Sequence, residues 1–189
     1  MQDPDFKLVT PTLEHLPGYQ DALKRGWSPD NVSPERTALL HLARIAEDPD
    51  AFVASLSDPD AKGAPIALPD GTTRPRLPGY FVWVWDGDFC GSFGFRWQNG
   101  TSALPDYCLG HIGYSIVPWK QRRGYATVGL GLLLDQARQR GLDTVELTTQ
   151  PDNLPSQKVI LANGGCRIGP RRKIAAYGGT EELLFRIAL

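Results

Sequence analysis

The run from Gly110 to Gly165 leaves this chain few architectures. It sets an apolar strand, a basic glycine turn, an amphipathic helix, a second strand and a capped second helix in unbroken order. His111 to Val117 alternates Ile112, Tyr114 and Ile116 with other residues, which is the period of a strand. Pro118 ends it, because proline has no N–H for a ladder. The turn is Gln121-Arg122-Arg123-Gly124-Tyr125-Ala126-Thr127. A helix then runs to about Arg140, with Ala126, Leu130, Leu133, Leu134 and Ala137 at helical spacing. Arg138 and Arg140 suit its last turn, and Gly141 its left-handed stop.

A helix N-terminus beside a glycine and two arginines is a physical recipe for holding phosphate. The type of phosphate is narrowed by what the sequence lacks. No G-x-x-x-x-G-K-[ST] run exists. Gly129 and Gly131 give G-x-G, but Leu134 stands where a dinucleotide fingerprint needs its third glycine, and the pair falls inside the helix. What remains is Q-x-x-G-x-A between a strand and a helix.

That motif resembles the pyrophosphate-binding motif [QR]-x-x-G-x-[GA] of the GNAT N-acetyltransferase superfamily. The strand Thr144–Thr149 and then D-N-x-x-S at Asp152–Ser156 follow at the superfamily's spacing. A closer resemblance is to a group of bacterial predicted acetyltransferases that carry GHIGY before the loop and NGG after the next helix, here His111–Tyr114 and Asn163–Gly165. The resemblance implies a mixed α/β fold, with a mostly antiparallel sheet whose central strands splay apart between flanking helices. It implies acetyl-CoA as acyl donor. Ile116 and Val117 would offer backbone groups to the pantetheine arm. Gln121, Arg122, Arg123, Gly124, Tyr125, Ala126 and Thr127 would hold the pyrophosphate, and Asn153 and Ser156 would touch the cofactor arm. For both of these last residues, plain helix capping is the alternative.

Family members move the acetyl group straight to an amine. An amine of pKa ~10.4 is neutral in only about one part in a few thousand at pH 7, so a base or a desolvating pocket is expected. His111 on the central strand and Glu146 on the next are the candidate bases. Many members place an acidic tyrosine seven residues after the asparagine; here that position is Ile160. Tyr114, Tyr107 and Ser156 are the substitutes, Tyr114 being carried forward as the candidate acid. Arg96, ending a hairpin, suits either an acceptor carboxylate or a surface salt bridge. The alternative to an enzyme is a non-catalytic acyl-CoA sensor.

The rest of the chain sets limits. At 189 residues it suits a single domain over 1–189. A net charge of −1 leaves no electrostatic footprint for nucleic acid or an anionic membrane. No apolar run spans a bilayer, and MQDPDFKLVTP lacks a leader's pattern. Cys90, Cys108 and Cys166 are odd in number and lack metal spacing, so reduced, buried thiols in a cytoplasmic protein are expected, with no metal. The partner is then a small-molecule or peptide amine, and the protein a monomer or homodimer.

Expected elements complete the picture. They are a strand at Phe6–Val9 and a helix at Leu13–Arg25 interrupted by Pro17 and Gly18. A helix after Ser33-Pro34 should bury Leu39, Leu40, Ala43 and Ala46, and a further helical segment covers Asp50–Leu56. Residues 57–79, dense in proline and glycine, read as an irregular loop over the acceptor. A hairpin joins Tyr80–Trp85 to Phe89–Trp97. The last helix should turn Val159, Ile160 and Ala162 inward, and strands are expected at Lys173–Tyr177 and Leu183–Ala188.

Overall fold

The computed structural model describes residues 6–189. Residues 1–5, the start of the MQDPDFKLVTP segment expected to lack a leader's pattern, lie outside the described residues. The chain forms two compact units. The first comprises the described residues through Pro59, with Tyr80–Gly94 and Tyr114–Gly129; the second comprises Asp60–Gly79, Phe95–Gly113 and Leu130–Leu189.

The first sheet takes the order β1 (Lys7–Val9), β5 (Gly79–Trp85), β6 (Phe89–Arg96), β7 (Ile112–Ile116), and β2 (Ser57–Asp58) also pairs with β5. Asp86–Asp88 turns the β5–β6 hairpin, with Gly87 at φ +100°. Helices α1 (Leu16–Lys24), α2 (Pro34–Glu47) and α3 (Pro49–Ala54) precede the hairpin. Aromatic side chains dominate the core of this unit. Tyr19 stacks on Trp83 at 4.6 Å and meets Phe89 edge-on at 5.4 Å.

Three expectations need correction here. Pro17 opens α1 in its first turn, where its missing N–H costs nothing, rather than interrupting a longer helix. The buried face of α2 carries Ala38 and Ile45, with Leu42 packed partly against the core, while Leu39 and Leu40 stand 69% and 54% exposed and Ala43 and Ala46 are exposed too. His41 sits on the inward side because Tyr19 Oη meets its Nδ1 at 2.7 Å. The segment after α2 is helical only through Ala54, capped by Asp48, which accepts from Ala51 N.

The second unit holds an antiparallel sheet ordered β8 (Thr144–Thr149), β10 (Glu181–Ala188), β9 (Cys166–Arg172). Helix α5 (Leu154–Ala162) buries Ile160 and half-buries Val159, but Ala162 faces solvent, contrary to expectation. Residues 57–79 are not irregular throughout. Besides β2 they form a two-residue hairpin, β3 (Ile66–Ala67) with β4 (Thr73–Arg74). Leu68 beside it is buried in a small core with Tyr107, Cys108 and Ala176. Strand β9 replaces the strand expected at Lys173–Tyr177, where a 3₁₀ turn lies at Ala175–Tyr177. The three cysteines are free thiols, and Cys166 is exposed rather than buried. Among the described residues, no helix is long and apolar enough to cross a membrane.

Candidate active site

The glycine turn leads directly into α4 (Tyr125–Gln139), which ends at Gly141 with φ +74°. Within the turn, Arg122 has φ +63° and Gly124 φ +84°. A left-handed arginine is strained, and the glycine is the residue that adopts this geometry without cost. Nothing lies within 4 Å of where a Gly124 Cβ would stand. Val128 N is bonded to Gly124 O at 3.0 Å, so the amides before it point out of the helix's N-terminus. Arg122, Arg123 and Gly124 are exposed, whereas Tyr125 is 3% exposed and anchors the first turn.

One carboxylate organises this turn, and the sequence reading passed over it as part of a hairpin loop. Asp86, its side chain 3% exposed, accepts from Lys120 Nζ at 2.8 and 2.9 Å and from Tyr125 Oη at 2.6 Å. Arg123 Nη1 stands at 3.7 Å from the same group. Burial alone would raise the Asp86 pKa, but the hydrogen bonds from Lys120 and Tyr125 hold it at about 2.

Strand β7 precedes the turn. Arg96 N donates to His111 O at 2.9 Å and Val117 N to Cys90 O at 2.9 Å, which fixes an antiparallel register of 96 with 111 and 90 with 117. Odd-numbered residues of β7 therefore face β6. Tyr114 and Ile116 turn their peptide groups to the opposite edge. Val117 is fully buried and its N–H is engaged with Cys90. On that edge, Gln121 Nε2 donates to Ile116 O at 3.2 Å, and Asn31 Nδ2 approaches Tyr114 O at 3.5 Å. Gln121 is thus turned back onto the strand. The Tyr114 ring lies tilted on Phe93, 5.2 Å between centroids.

In the second unit, His111 is completely buried and joined twice to Glu146. His111 N donates to Glu146 O at 2.7 Å, and Glu146 N donates to His111 Nδ1 at 2.9 Å. An amide N–H can only donate, so Nδ1 carries no proton and the neutral ring carries its hydrogen on Nε2. Burial pushes the His111 pKa down from 6.5 to about 4, with the Arg96 charge acting in the same direction against the Glu146 carboxylate. Glu146 Oε1 accepts from Arg186 Nη2 at 2.8 Å. Gly110 lets the chain approach closely: a Cβ there would stand 2.9 Å from Glu146 O. Arg96 is half-buried, its guanidinium 3.6 Å from where a Gly113 Cβ would be. At the start of α5, Asn153 Oδ1 accepts from Ser156 N at 3.2 Å, which is an N-cap bond.

The structure thus gathers Tyr114, Ile116, Val117 and the residues from Gln121 to Thr127 in one unit, and His111, Glu146, Asn153 and Ser156 in the other. A shallow cavity of about 300 Å³ lies at the far end of α4 from Gly124, lined by Trp97, Asn99, Gln139 and Arg140 among others. None of the candidate site residues lines it.

Comparison with known proteins gives this geometry its chemical meaning. A family model described as the Acetyltransferase (GNAT) family matches residues 38–164. No curated protein sequence matches the chain. Among solved structures, Mycobacterium smegmatis RimJ in complex with CoA-disulfide aligns with a TM-score of 0.63 at 19% identity, covering 97% of this chain and 81% of that one. The microcin C7 self-immunity acetyltransferase MccE, in complex with acetyl-CoA and AMP, aligns with 0.60 at 10% identity, over 98% and 93%. The ribosomal-protein-S5-alanine acetyltransferase of Vibrio fischeri aligns with 0.59 at 15% identity, over 97% and 93%. At these identities the structures speak for the fold, and the family match speaks for the chemistry. That match spans well over half of the chain and includes the strand, the glycine turn and the capped helix α5. On these grounds the chain belongs to the GNAT family and is an acyl-CoA-dependent N-acetyltransferase with acetyl-CoA as its acyl donor.

Proposed function

We propose that the protein transfers the acetyl group directly to a primary amine of a small molecule or peptide, holding the pyrophosphate of CoA at the Gly124 turn. The observation that carries this reading is the turn itself. Two left-handed residues, Arg122 and Gly124, aim successive amides out of the N-terminus of a 15-residue helix, beside exposed Arg122 and Arg123. The groups suited to the phosphates are the amides of Arg123, Gly124, Tyr125 and Ala126, with Thr127 and Gln121 flanking them. The β7 edge turned away from β6, at Tyr114 and Ile116, suits the pantetheine amides. In this reading the Gln121 side chain yields Ile116 O to the arm. Asn153 and Ser156, at the start of α5, remain candidate contacts to the cofactor arm.

For deprotonation, the hydrogen bonding favours Glu146 over His111. The His111 lone pair already receives the Glu146 N–H, so the ring holds the strand carrying the carboxylate rather than taking a proton itself. Tyr114 remains the candidate acid for the leaving thiolate. Arg96, half-buried beside Gly113, offers a cation to an acceptor that carries a carboxylate. The family match crosses both units, which supports a single transferase domain over the whole chain. The GHIGY and NGG motifs support kinship with the bacterial group that shares them, and the free thiols of Cys90, Cys108 and Cys166 support a cytoplasmic location.

The test is free-thiol release from acetyl-CoA across a panel of amines, amino acids and short peptides. Turnover with at least one amine and none without it supports an amine as the acceptor, and the absence of a thiol burst without amine supports direct transfer. Glu146→Gln should lower kcat by about a hundredfold. Full turnover in that variant would exclude Glu146 as the base.

A further inference from the structure

We infer that Asp86 is a positioning residue for acetyl-CoA: it holds the glycine turn in its phosphate-binding shape without touching the substrate. This rests on the turn being the pyrophosphate site.

The observation is the placement of its partners. Lys120 lies before the turn and Tyr125 is the first residue of α4, so the two brace its two ends. Both converge on one buried carboxylate, at 2.8 and 2.6 Å. Between them Arg122 sits at φ +63°, a conformation that a non-glycine residue leaves unless its surroundings hold it there. Tyr125 has its ring buried and its hydroxyl on Asp86, which fixes the direction of the helix start. Lys120, its side chain 17% exposed, is tied down, whereas Arg123 is 51% exposed, stands 3.7 Å from Asp86 and has the Tyr125 hydroxyl as a further partner. Arg123 is thus the cation of the pair that is able to turn toward a phosphate, while Lys120 is the tether.

The proposal makes a prediction of sign. Asp86 is a negative charge close to a site for anions, and by charge alone its removal strengthens CoA binding. As a positioning residue its removal weakens binding, because the amides lose their preset directions. The experiment is isothermal titration of CoA, with the KM for acetyl-CoA and kcat, on Asp86→Asn, Tyr125→Phe and Gly124→Asp, each checked for folding by thermal melting. Tyr125→Phe keeps the buried ring and removes only the hydroxyl, so it carries the test if Asp86→Asn does not fold. The expected result for both Asp86→Asn and Tyr125→Phe is CoA affinity lower by about tenfold, KM for acetyl-CoA raised to match, and kcat at saturation within about twofold. Tighter or unchanged CoA binding in a folded Asp86→Asn or Tyr125→Phe overturns the inference. Gly124→Asp separates the two levels. If it too leaves CoA affinity unchanged, the turn is not the phosphate site. If it alone weakens CoA, the site stands and the role of Asp86 falls.

Discussion

Replacing His111 separates a ring that holds the structure from one that moves protons. His111→Ala leaves the Glu146 N–H without its acceptor in a buried place, which costs roughly 1–3 kcal/mol. It also empties the space of a fully buried ring, so the total should be about 3–5 kcal/mol. His111→Asn differs in one respect. Its Oδ1 is attached to Cγ just as Nδ1 is, so it accepts from Glu146 N in the same place. It should recover at least about 1 kcal/mol of the loss. Urea unfolding measures the stabilities, and kcat with a competent amine measures turnover. A positioning role predicts that Asn keeps kcat within about fivefold of the natural protein. If Asn is as well folded as expected yet loses about a hundredfold in kcat, the ring is the base and the tautomer argument is wrong.

The same ring shapes the acid limb of stability. Its folded pKa of about 4 lies below the unfolded value near 6.5, so the native state favours the neutral form. The stabilisation is complete above pH 6.5 and is lost as pH falls toward 4, by about 3 kcal/mol for His111. Burial likewise pushes His41 down to about 4, so it titrates in the same window. The urea midpoint should fall steadily between pH 6.5 and 4, and a flat profile there would show that neither ring is held neutral. Gly129→Ala should destabilise by about 1 kcal/mol, because its Cβ would stand 2.6 Å from the buried Phe93 ring, a strain exceeding the helix-propensity gain; a higher melting temperature would contradict this. No acetyl-cysteine should accumulate with acetyl-CoA alone: burial, aided by Asp86, pushes the Cys90 thiol up to about 12. A turnover-competent adduct on any cysteine in the mass spectrum would overturn direct transfer.

The glycine turn, α4, β8 and the Asn153 cap were legible because each is written locally. A strand period, a proline stop, a left-handed glycine and a capping asparagine need no distant partner to be read. The α2 face was not legible, because Leu39 and Leu40 compete with Leu42 and Ile45 for the core and His41 interrupts the true stripe. Tyr19, 22 residues away in sequence, and Phe52 make that histidine acceptable inside. Strand β9 hid for a different reason. It is an edge strand, mostly exposed, in which Gly169 and Pro170 are tolerated, so it shows neither alternation nor β-branched enrichment. Asp86 reads in sequence as one residue of a turn, and its role appears only once the hairpin tip is set against Lys120 and Tyr125. The histidine was visible as a candidate, but its tautomer was not, since that depends on a backbone N–H from another strand.

The most direct test of the central claim is the amide spectrum of the protein as CoA is added. If the Gly124 turn holds the pyrophosphate, the largest amide shift changes should fall on Arg123, Gly124, Tyr125 and Ala126, with smaller ones at Tyr114 and Ile116. If those four amides stay in place while CoA saturates and the large changes fall elsewhere, the phosphates are bound at another site and the account of this turn is wrong.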